Sequence, residues 1–417
     1  MSRHSGTTKY VVVIGDGMAD YPVEHIGGKT PLEAAQTPNM DRIATCHTGL
    51  VRSIPKGMEP GSDVANLSFM GYDPVACHTG RAPFEAASMG VTLGSSDVAF
   101  RMNLVCLKNV SDGKIIMKSH SAGDITTAEA AQIIKDLRQK MKLPTGVMIY
   151  QGVAYRHLIV WKDGPESTRT IPPHDVLDQD MSSYLNKEVD DAIVKLIRSS
   201  WQYLENHPVN LARRAKNLPE ANSIWLWGQG RAPELQNFNE RFGLKGGIIS
   251  AVDLLKGIGI CAGLKPIDVE GATGYIDTNY RGKADAAIRA LEQLDYVFVH
   301  IEAPDEAGHS GNADEKIRAI EAVDKEVVGN ILKGLAKFED YRIMVASDHF
   351  TPVSKRTHTD EPTIFAWADK KQLERNEEKN GNNKKSISGF TEKAALQSGL
   401  FFEHGYNLAE VFIKSED

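Results

Sequence analysis

The chain has 417 residues, of which 41% are hydrophobic and 25% are charged, a composition that excludes a wholly disordered protein. Lys and Arg total 48 against 55 Asp and Glu, and the formal net charge of -7 argues against a dedicated nucleic-acid binder. No apolar run approaches the roughly 18 residues that a membrane span requires, so no membrane partner is expected either.

Two further features indicate the compartment. The first apolar run, residues 10–14, is too short for the core of a signal peptide, and no small-residue cleavage site follows it. The four cysteines are scattered without a CxxC pair, which argues against a disulfide framework and against a thiolate metal site. We therefore expect a cytoplasmic protein.

The chain begins with an α/β pattern and then changes. The β-branched run Tyr10–Ile14 predicts a buried parallel strand, and residues 31–44 predict a helix. From about residue 81 to 231 the pattern differs, with short alternating strands interleaved with helices. The predicted strands are 97–105, 114–117 and 157–161, and the predicted helices are 127–141 and 190–205. This region predicts an inserted α+β domain.

The α/β pattern resumes after the insert. Buried strands are predicted at Tyr296–Ile301 and Tyr341–Ala346 and a further strand at 264–269, with helices at 248–257, 283–294 and 314–335. Residues 376–388, rich in Glu, Asn and Lys, predict an exposed loop. We predict an α/β catalytic domain with a mostly parallel sheet flanked by helices, formed by residues 1–80 and 232–417 around the insert 81–231.

Polar residues follow each of the three buried strands. Asp16 follows the first, Asp305 and His309 follow the second, and Asp348-His349 follow the third, with His358 nine residues further on. One such Asp often only caps a helix, but the carboxyl ends of parallel strands meet at the edge where ligands bind. Asp and His without Cys suit Mn²⁺, Zn²⁺, Fe²⁺ or Co²⁺.

The size of this ligand set indicates the chemistry. Six ligands are too many for one tetrahedral ion, so the pattern predicts two ions a few Å apart. Carboxylates and an anionic substrate would offset the repulsion between the ions, which points to phosphoryl or sulfuryl chemistry.

Ser62 follows the turn Pro60-Gly61 and has two interpretations. It is either a simple helix N-cap or a nucleophile at a helix start that favours phosphate.

The order of these residues resembles that of the alkaline phosphatase superfamily. More closely, the chain resembles the archaeal-type branch of the cofactor-independent phosphoglycerate mutases. The segments that carry this resemblance are Val13–Asp20, Thr37–Asp41, Gly61–Asn66, Gly80–Ala86, Phe100–Asn103 and Asp305–His309. The resemblance implies an isomerase that interconverts 3-phosphoglycerate and 2-phosphoglycerate through a phosphoserine, without 2,3-bisphosphoglycerate.

The resemblance also implies a role for individual residues. Asp16, Ser62, Asp348 and His349 would hold one ion, and Asp305, His309 and His358 would hold the other, with Mn²⁺, Zn²⁺ and Co²⁺ all open. The insert would be a lid that recognises the small phosphorylated substrate. Candidate substrate contacts are His120, Arg156, Arg231 and the weaker Lys283.

One departure from the family keeps other substrates open. The archaeal-type mutases carry Arg-Gly where this chain has Gly228-Gln-Gly-Arg231, and Trp225–Gly230 and Glu302–His309 resemble a bacterial subgroup for which homoserine kinase activity has been proposed. The alternatives are therefore homoserine kinase, phosphopentomutase, a phosphatase, or a metal-stabilised binding protein without catalysis.

Overall fold

The structure, a computed structural model, describes residues 8–110, 113–380 and 389–414. The chain divides into two compact units, which we call unit 1 (Met1–His78 and Leu235–Asp417) and unit 2 (Thr79–Glu234). Within the described ranges, no helix combines the length and the apolar character that crossing a membrane would need.

Strands and helices alternate along much of the chain. The strands are β1 (Thr8–Gly15), β2 (His47–Val51), β3 (Asp97–Asn109), β4 (Ile115–Ser119), β5 (Val147–Tyr150), β6 (Arg156–Lys162), β7 (Ser223–Gly230), β8 (Gly246–Ile249), β9 (Lys265–Pro266), β10 (Tyr296–Ile301), β11 (Asp340–Ala346), β12 (Thr363–Asp369) and β13 (Phe401–Phe402).

The helices complete the two units. They are α1 (Pro31–Ala34), α2 (Pro38–Ala44), α3 (Ser62–Phe69), α4 (Pro74–Cys77), α5 (Ala82–Ser88), α6 (Thr127–Lys140), α7 (Asp191–Leu204), α8 (Pro208–Ala215), α9 (Phe238–Phe242), α10 (Asp253–Cys261), α11 (Tyr280–Ala290), α12 (Ala303–Ser310), α13 (Ala313–Ala322), α14 (Gly329–Leu335), α15 (Lys370–Asn380), α16 (Glu392–Ser398) and α17 (Gly405–Lys414). Short 3₁₀ helices occur at Glu24–Ile26 and Pro173–Val176, and π-helical turns at Tyr184–Glu188 and Val323–Val328.

Unit 1 is built on a sheet whose described strands run in the order β13-β2-β12-β11-β1-β10-β8-β9. The strands β11, β1, β10, β8 and β9 are parallel neighbours, and β12 runs antiparallel to both β11 and β2. The central strands are buried on both faces, as their unbroken Val and Ile runs predict. Helices α11, α13 and α14 pack into the same apolar core. The predicted α/β fold with a mostly parallel sheet is confirmed.

Unit 2 has an antiparallel sheet of its own. The long strand β3 pairs with β4, β6 and β7, and β5 continues the sheet beyond β6. Helices α6 and α7 contribute their apolar faces to a core that contains the fully buried Trp225, which stacks on Tyr184 at 5.1 Å. The strands and helices predicted here are present with small shifts at their ends.

Four local predictions need correction. The helix predicted at 31–44 is two helices, because Pro38 begins a new one and a proline cannot continue the preceding turn. The helix predicted at 248–257 begins only at Asp253, because Ile248 and Ile249 pair with β10. The strand predicted at 264–269 is reduced to β9. In the predicted loop 376–388, residues 376–380 belong to α15, and 381–388 lie outside the described residues.

A buried histidine in unit 2 predicts sensitivity to acid. His157 is 3% exposed, its Nδ1 accepts a hydrogen bond from the Gly152 amide at 3.1 Å, and its Nε2 has no hydrogen-bond partner among the described residues. Burial, aided by the charge of Arg138, lowers the pKa of His157 to about 4 from an ordinary 6.5. Protonation therefore favours the unfolded chain, in which the ring keeps its ordinary pKa.

We expect His157 to destabilise the protein progressively as pH falls from about 6.5 to 4, by up to about 3 kcal/mol in all. Above pH 6.5 the ring is neutral in both states and the contribution vanishes. Urea unfolding of the parent and of His157→Asn across this range measures the effect, since Asn keeps an acceptor for Gly152 but does not titrate. Parallel pH profiles for the two proteins would contradict the prediction.

Candidate active site

The polar residues of unit 1 converge because three adjacent parallel strands end together. Strand β1 lies between β10 and β11, with Ile14 in register with His300 and Ala346. Asp16 directly follows β1, and its amide donates to the Ile301 carbonyl at 2.9 Å. Asp348 directly follows Ser347 after β11. The candidate site therefore lies at the carboxyl ends of the central strands.

The tight turn after Asp16 requires glycine. Gly17 has φ +59°, and a Cβ there would lie 2.5 Å from Thr351 Oγ1 and 2.6 Å from Asp305 Oδ1. The Gly17 amide donates to Asp348 Oδ1 at 3.0 Å. The missing side chain thus lets Thr351 and Asp305 approach the end of β1.

Ser62 is the first residue of α3 and is half-buried. Its Oγ lies 3.1 Å from His349 Nε2. Asn66, one turn later, uses its amide group to donate to the Ser62 carbonyl and to Asp348 Oδ2, both at 2.8 Å. The helix start is therefore fastened directly to the loop after β11, and the Ser62 hydroxyl does not itself cap α3.

The His349 ring is oriented by Thr351. Thr351 Oγ1 donates to Asp305 Oδ1, which leaves the hydroxyl oxygen to accept from His349 Nδ1 at 3.2 Å. This pattern places the ring proton on Nδ1 and leaves the lone pair of Nε2 directed at the site. Nε2 lies 3.3 Å from Asp16 Oδ1 and 3.6 Å from Asp348 Oδ2.

A second group forms around Asp305 on α12. His309 lies one turn further along the same helix, with its Nε2 3.2 Å from Asp305 Oδ2, and His358 Nε2 lies 3.5 Å from Asp305 Oδ1. The two Nε2 atoms are 3.0 Å apart, and His309 Nδ1 donates to the Arg356 carbonyl at 3.0 Å. The Arg356 contact directs Nε2 of His309 at Asp305 and His358, and the lone pair of Nε2 becomes available to a ligand once the ring loses its second proton.

The electrostatics of the two groups differ. Burial, reinforced by Asp348 and Asp305, holds the pKa of Asp16 well above its ordinary value. Burial alone would raise the pKa of Asp305 too, but contacts with His309 and His358 outweigh it and hold that pKa well below its usual range. Burial opposes protonation of His309, yet the nearby Asp305 carboxylate raises the pKa of this ring to about 9. Each group therefore attracts positive charge.

The residues present fit divalent ions. Asp305, His309 and His358 offer ligand atoms within 4.8 Å of one another, as do Asp16, Asp305 and His349. Asp16 is fully buried, and its Oδ1 has no hydrogen-bond partner among the described residues. Carboxylate and imidazole donors without thiolates suit Mn²⁺, Co²⁺ or Zn²⁺. Asp305 belongs to both of these residue groups, so the two sets of candidate ligands lie side by side.

Sequence reasoning missed His300 at this site. It also offers a ligand atom within 4.8 Å of Asp16 and Asp348, and it is fully buried. Because His300 lies inside β10 rather than after it, the pattern of strand-end residues could not identify it. A histidine inside an otherwise apolar strand was the available signal.

Comparison with known proteins places the chain in a family. Residues 44–210 match the family model described as 2,3-bisphosphoglycerate-independent phosphoglycerate mutase, and residues 155–391 match that of type I phosphodiesterase / nucleotide pyrophosphatase. A probable 2,3-bisphosphoglycerate-independent phosphoglycerate mutase from Geobacter sulfurreducens is 49% identical, over 97% of this chain and 99% of that protein. The chain belongs to the family of 2,3-bisphosphoglycerate-independent phosphoglycerate mutases.

A second curated relative and two solved structures are also similar to this chain. The mutase of Methanothrix thermoacetophila is 48% identical, over 97% of this chain and 99% of its own. A solved structure of a Pyrococcus horikoshii protein is 28% identical and matches with a TM-score of 0.79 over 99% of both chains. The cofactor-independent phosphoglycerate mutase of Thermoplasma acidophilum, 22% identical, matches with a TM-score of 0.60 over 98% of this chain and 99% of its own, which shows the shared fold.

The predicted substrate contacts of this mutase-family chain have varied surroundings. In unit 2, the His120 ring meets Tyr155 edge-on at 5.6 Å, and the guanidinium of the exposed Arg156 lies 5.7 Å from the same ring. Arg231 is engaged by Glu166 at 2.6 Å. In unit 1, Lys283 is fully buried and donates to the His300 carbonyl at 3.3 Å. Their roles in substrate binding stay predictions.

Sequence reasoning also missed polar groups around Trp227. Arg101 lies 4.0 Å above the Trp227 ring and pairs with Glu85 at 3.0 Å, and His174 meets Trp227 edge-on at 5.3 Å. Strand β3 pairs with β7, with Arg101 in register with Trp227, and this pairing places the half-buried cation against the ring.

A buried ion pair fastens the loops that carry the site. Lys316 on α13 is fully buried and donates to Asp20 Oδ2 at 2.7 Å, to the Thr351 carbonyl at 2.9 Å and to the Ala19 carbonyl at 3.2 Å. Asp20 Oδ2 also accepts from the Val353 amide at 3.1 Å. The pair therefore joins the loop after β1 to the loop after β11.

We expect Lys316→Ala to lower the free energy of unfolding by about 3–5 kcal/mol, because it leaves Asp20 buried and uncompensated. Chemical denaturation measures the change. The matched control is Lys325→Ala, since Lys325 is 82% exposed and pairs with Glu326 only at the surface, where such pairs contribute under about 1 kcal/mol. Equal effects of the two substitutions would contradict a supporting role for the buried pair.

Proposed function

We propose that this chain is a phosphoglycerate mutase that interconverts 3-phosphoglycerate and 2-phosphoglycerate through a phosphoserine on Ser62, a step of glycolysis and gluconeogenesis. The observation that carries the proposal is the Ser62 hydroxyl 3.1 Å from His349, at a helix start beside two groups of candidate metal ligands. Relatives named for this activity match nearly the whole chain, which supports the same reaction here.

The reaction is proposed in two balanced steps. Ser62 Oγ loses its proton and forms a bond to phosphorus as the bond from phosphorus to the glycerate oxygen breaks, and the proton that glycerate takes up at that oxygen balances the one lost by Ser62. The glycerate then presents its other hydroxyl, which loses its proton and takes the phosphoryl group as the bond from phosphorus to Ser62 Oγ breaks and Ser62 Oγ takes up a proton. Asn66 holds the helix start in place through both steps, and amides at the start of α3 favour a phosphate beside Ser62.

Two divalent ions are proposed to be the resident cofactors. Asp16, Ser62, Asp348 and His349 would hold one, and Asp305, His309 and His358 the other. When bound, such ions stabilise negative charge on the phosphoryl oxygens and on the attacking and leaving oxygens. The protein contributes the orientation: Thr351 fixes the His349 ring, and the Arg356 carbonyl fixes the His309 ring.

Unit 2 is proposed to recognise the glycerate part of the substrate. His120 and Arg156 both lie against Tyr155, and a guanidinium can bind a carboxylate through two parallel hydrogen bonds. Arg231 is a weaker candidate because Glu166 already occupies its guanidinium. Burial lowers the pKa of Lys283 to about 8. Because the side chain is fully buried, a role in substrate binding would require it to move.

The deciding experiment supplies metal-loaded protein with 3-phosphoglycerate and couples formation of 2-phosphoglycerate to enolase. A parallel reaction contains ATP and homoserine, and a third measures release of inorganic phosphate. Isomerisation without added 2,3-bisphosphoglycerate is the expected result. Phosphorylation of homoserine without isomerisation would replace the mutase by a kinase, and phosphate release alone would indicate a phosphatase.

A further inference from the structure

His300 makes a fully buried link between the site and the core of unit 1. Its Nε2 lies 2.9 Å from Asp16 Oδ2, and its Nδ1 lies 3.3 Å from Ser250 Oγ. The backbone is held as well, since Lys283 donates to the His300 carbonyl at 3.3 Å. His300 and Asp16 are both 0% exposed, so water does not compete for the contact between them.

The two ring nitrogens have different partners, which assigns the tautomer. When Asp16 is ionised, as it is when it binds a cation, Oδ2 is an acceptor and the Nε2 proton points at it. Ser250 Oγ accepts from the Val252 amide at 3.0 Å, and Nδ1 at 3.3 Å is a nearer acceptor for its proton than the Val252 carbonyl at 3.5 Å, so Nδ1 accepts from the Ser250 hydroxyl. Neither nitrogen then has a free lone pair for an ion. Asp16 is bound through one oxygen only, and its other oxygen, Oδ1, is buried without a hydrogen-bond partner in the described part of the chain.

We propose that His300 is a positioning residue that holds Asp16 by Oδ2 so that Oδ1 is presented to a divalent ion, with Ser250 fixing the ring. The inference rests on the proposed metal site. It assigns to His300 a role that differs from ligation, although the ring lies near Asp16 and Asp348. A partner of this kind commonly changes metal affinity about 10- to 100-fold when it is removed.

Two substitutions of similar size separate the functions of the two ring nitrogens. The amide nitrogen of His300→Gln can reach the position of Nε2 and restore the bond to Asp16. His300→Asn places its amide near the position of Nδ1, so it can contact Ser250 but not Asp16. The matched control is His157→Asn, which replaces a buried histidine of unit 2.

The experiment titrates each purified full-length protein, stripped of metal, with Mn²⁺ by isothermal calorimetry, and circular dichroism with thermal melting checks the fold. We expect His300→Asn to weaken binding of one ion about 10- to 100-fold, Ser250→Ala to weaken it less, and His300→Gln and His157→Asn to stay within about threefold of the parent. The second ion, at Asp305, His309 and His358, should bind as in the parent.

Other results would overturn the inference. Unchanged Mn²⁺ affinity in a folded His300→Asn protein would show that Asp16 needs no such support. Complete loss of one ion in both His300→Asn and His300→Gln would make His300 a ligand instead. If His300→Asn does not fold, a His300→Gln protein that folds and binds Mn²⁺ tenfold or more weakly than the parent would likewise overturn it. A parent that binds no Mn²⁺ would overturn the metal site itself, a failure that the calorimetry distinguishes from the others.

Discussion

Ser62→Ala is expected to lower turnover of 3-phosphoglycerate by at least about 10³-fold while leaving the fold intact. The substitution removes the only atom proposed to carry the phosphoryl group, and loss of a nucleophile has effects of this order or larger. The fold should persist because the Ser62 hydroxyl does not cap α3, and Asn66 still fastens the helix through the Ser62 carbonyl. The enolase-coupled assay and circular dichroism measure the two parts.

The control for this substitution is Ser398→Ala at the end of α16, where the hydroxyl donates to the Ala395 carbonyl at 2.7 Å and accepts from the Leu400 amide at 3.1 Å. This variant should keep the activity of the parent. Acid quenching of the parent during turnover should trap phosphate on the peptide containing Ser62, detected by mass spectrometry. Activity of Ser62→Ala above a few per cent of the parent, or trapped phosphate on a different residue, would remove Ser62 from the mechanism.

The central sheet could be predicted because its strands are buried on both faces. Burial on two faces demands unbroken apolar runs, and Tyr10–Ile14 and Tyr296–Ile301 show them clearly. Strand β12 was not predicted although it is equally buried, because the sequence does not say that residues 363–369 return antiparallel beside β11. Likewise, the apolar pair Ile248-Ile249 suits a helix as well as a strand, and only pairing with β10 decides between them.

For the candidate site too, some residues could be predicted from the sequence and others could not. Residues directly after strands, such as Asp16 and Asp348, could be identified because parallel strands bring their carboxyl ends together. The structure joins the two predicted ligand groups through the rings of His349 and His358, whose centroids lie 4.2 Å apart. His300 and Thr351 act through orientation, which depends on distances between side chains from different strands. A one-dimensional pattern holds no information about such distances.

Removal of metal is expected to abolish activity and to lower the stability of the protein. Three carboxylates, those of Asp16, Asp305 and Asp348, are almost fully buried within one site. A cation bound only by the folded state stabilises that state, by about 2.7 kcal/mol at a concentration 100 times its Kd. Exhaustive chelation should therefore lower the melting temperature as well as turnover.

Re-addition of metal tests whether bound ions account for the lost turnover and stability. Mn²⁺, Co²⁺ or Zn²⁺ should restore both turnover and melting temperature better than Ca²⁺, because imidazole nitrogens from His309, His349 and His358 suit transition metals more than a cation that prefers oxygen. His309→Ala should bind one ion equivalent fewer than the parent by elemental analysis, whereas Ser398→Ala should bind the same number. Full turnover by protein shown to be metal-free would refute the two-ion mechanism, because charge developing on the phosphoryl group would then have to be stabilised by side chains alone.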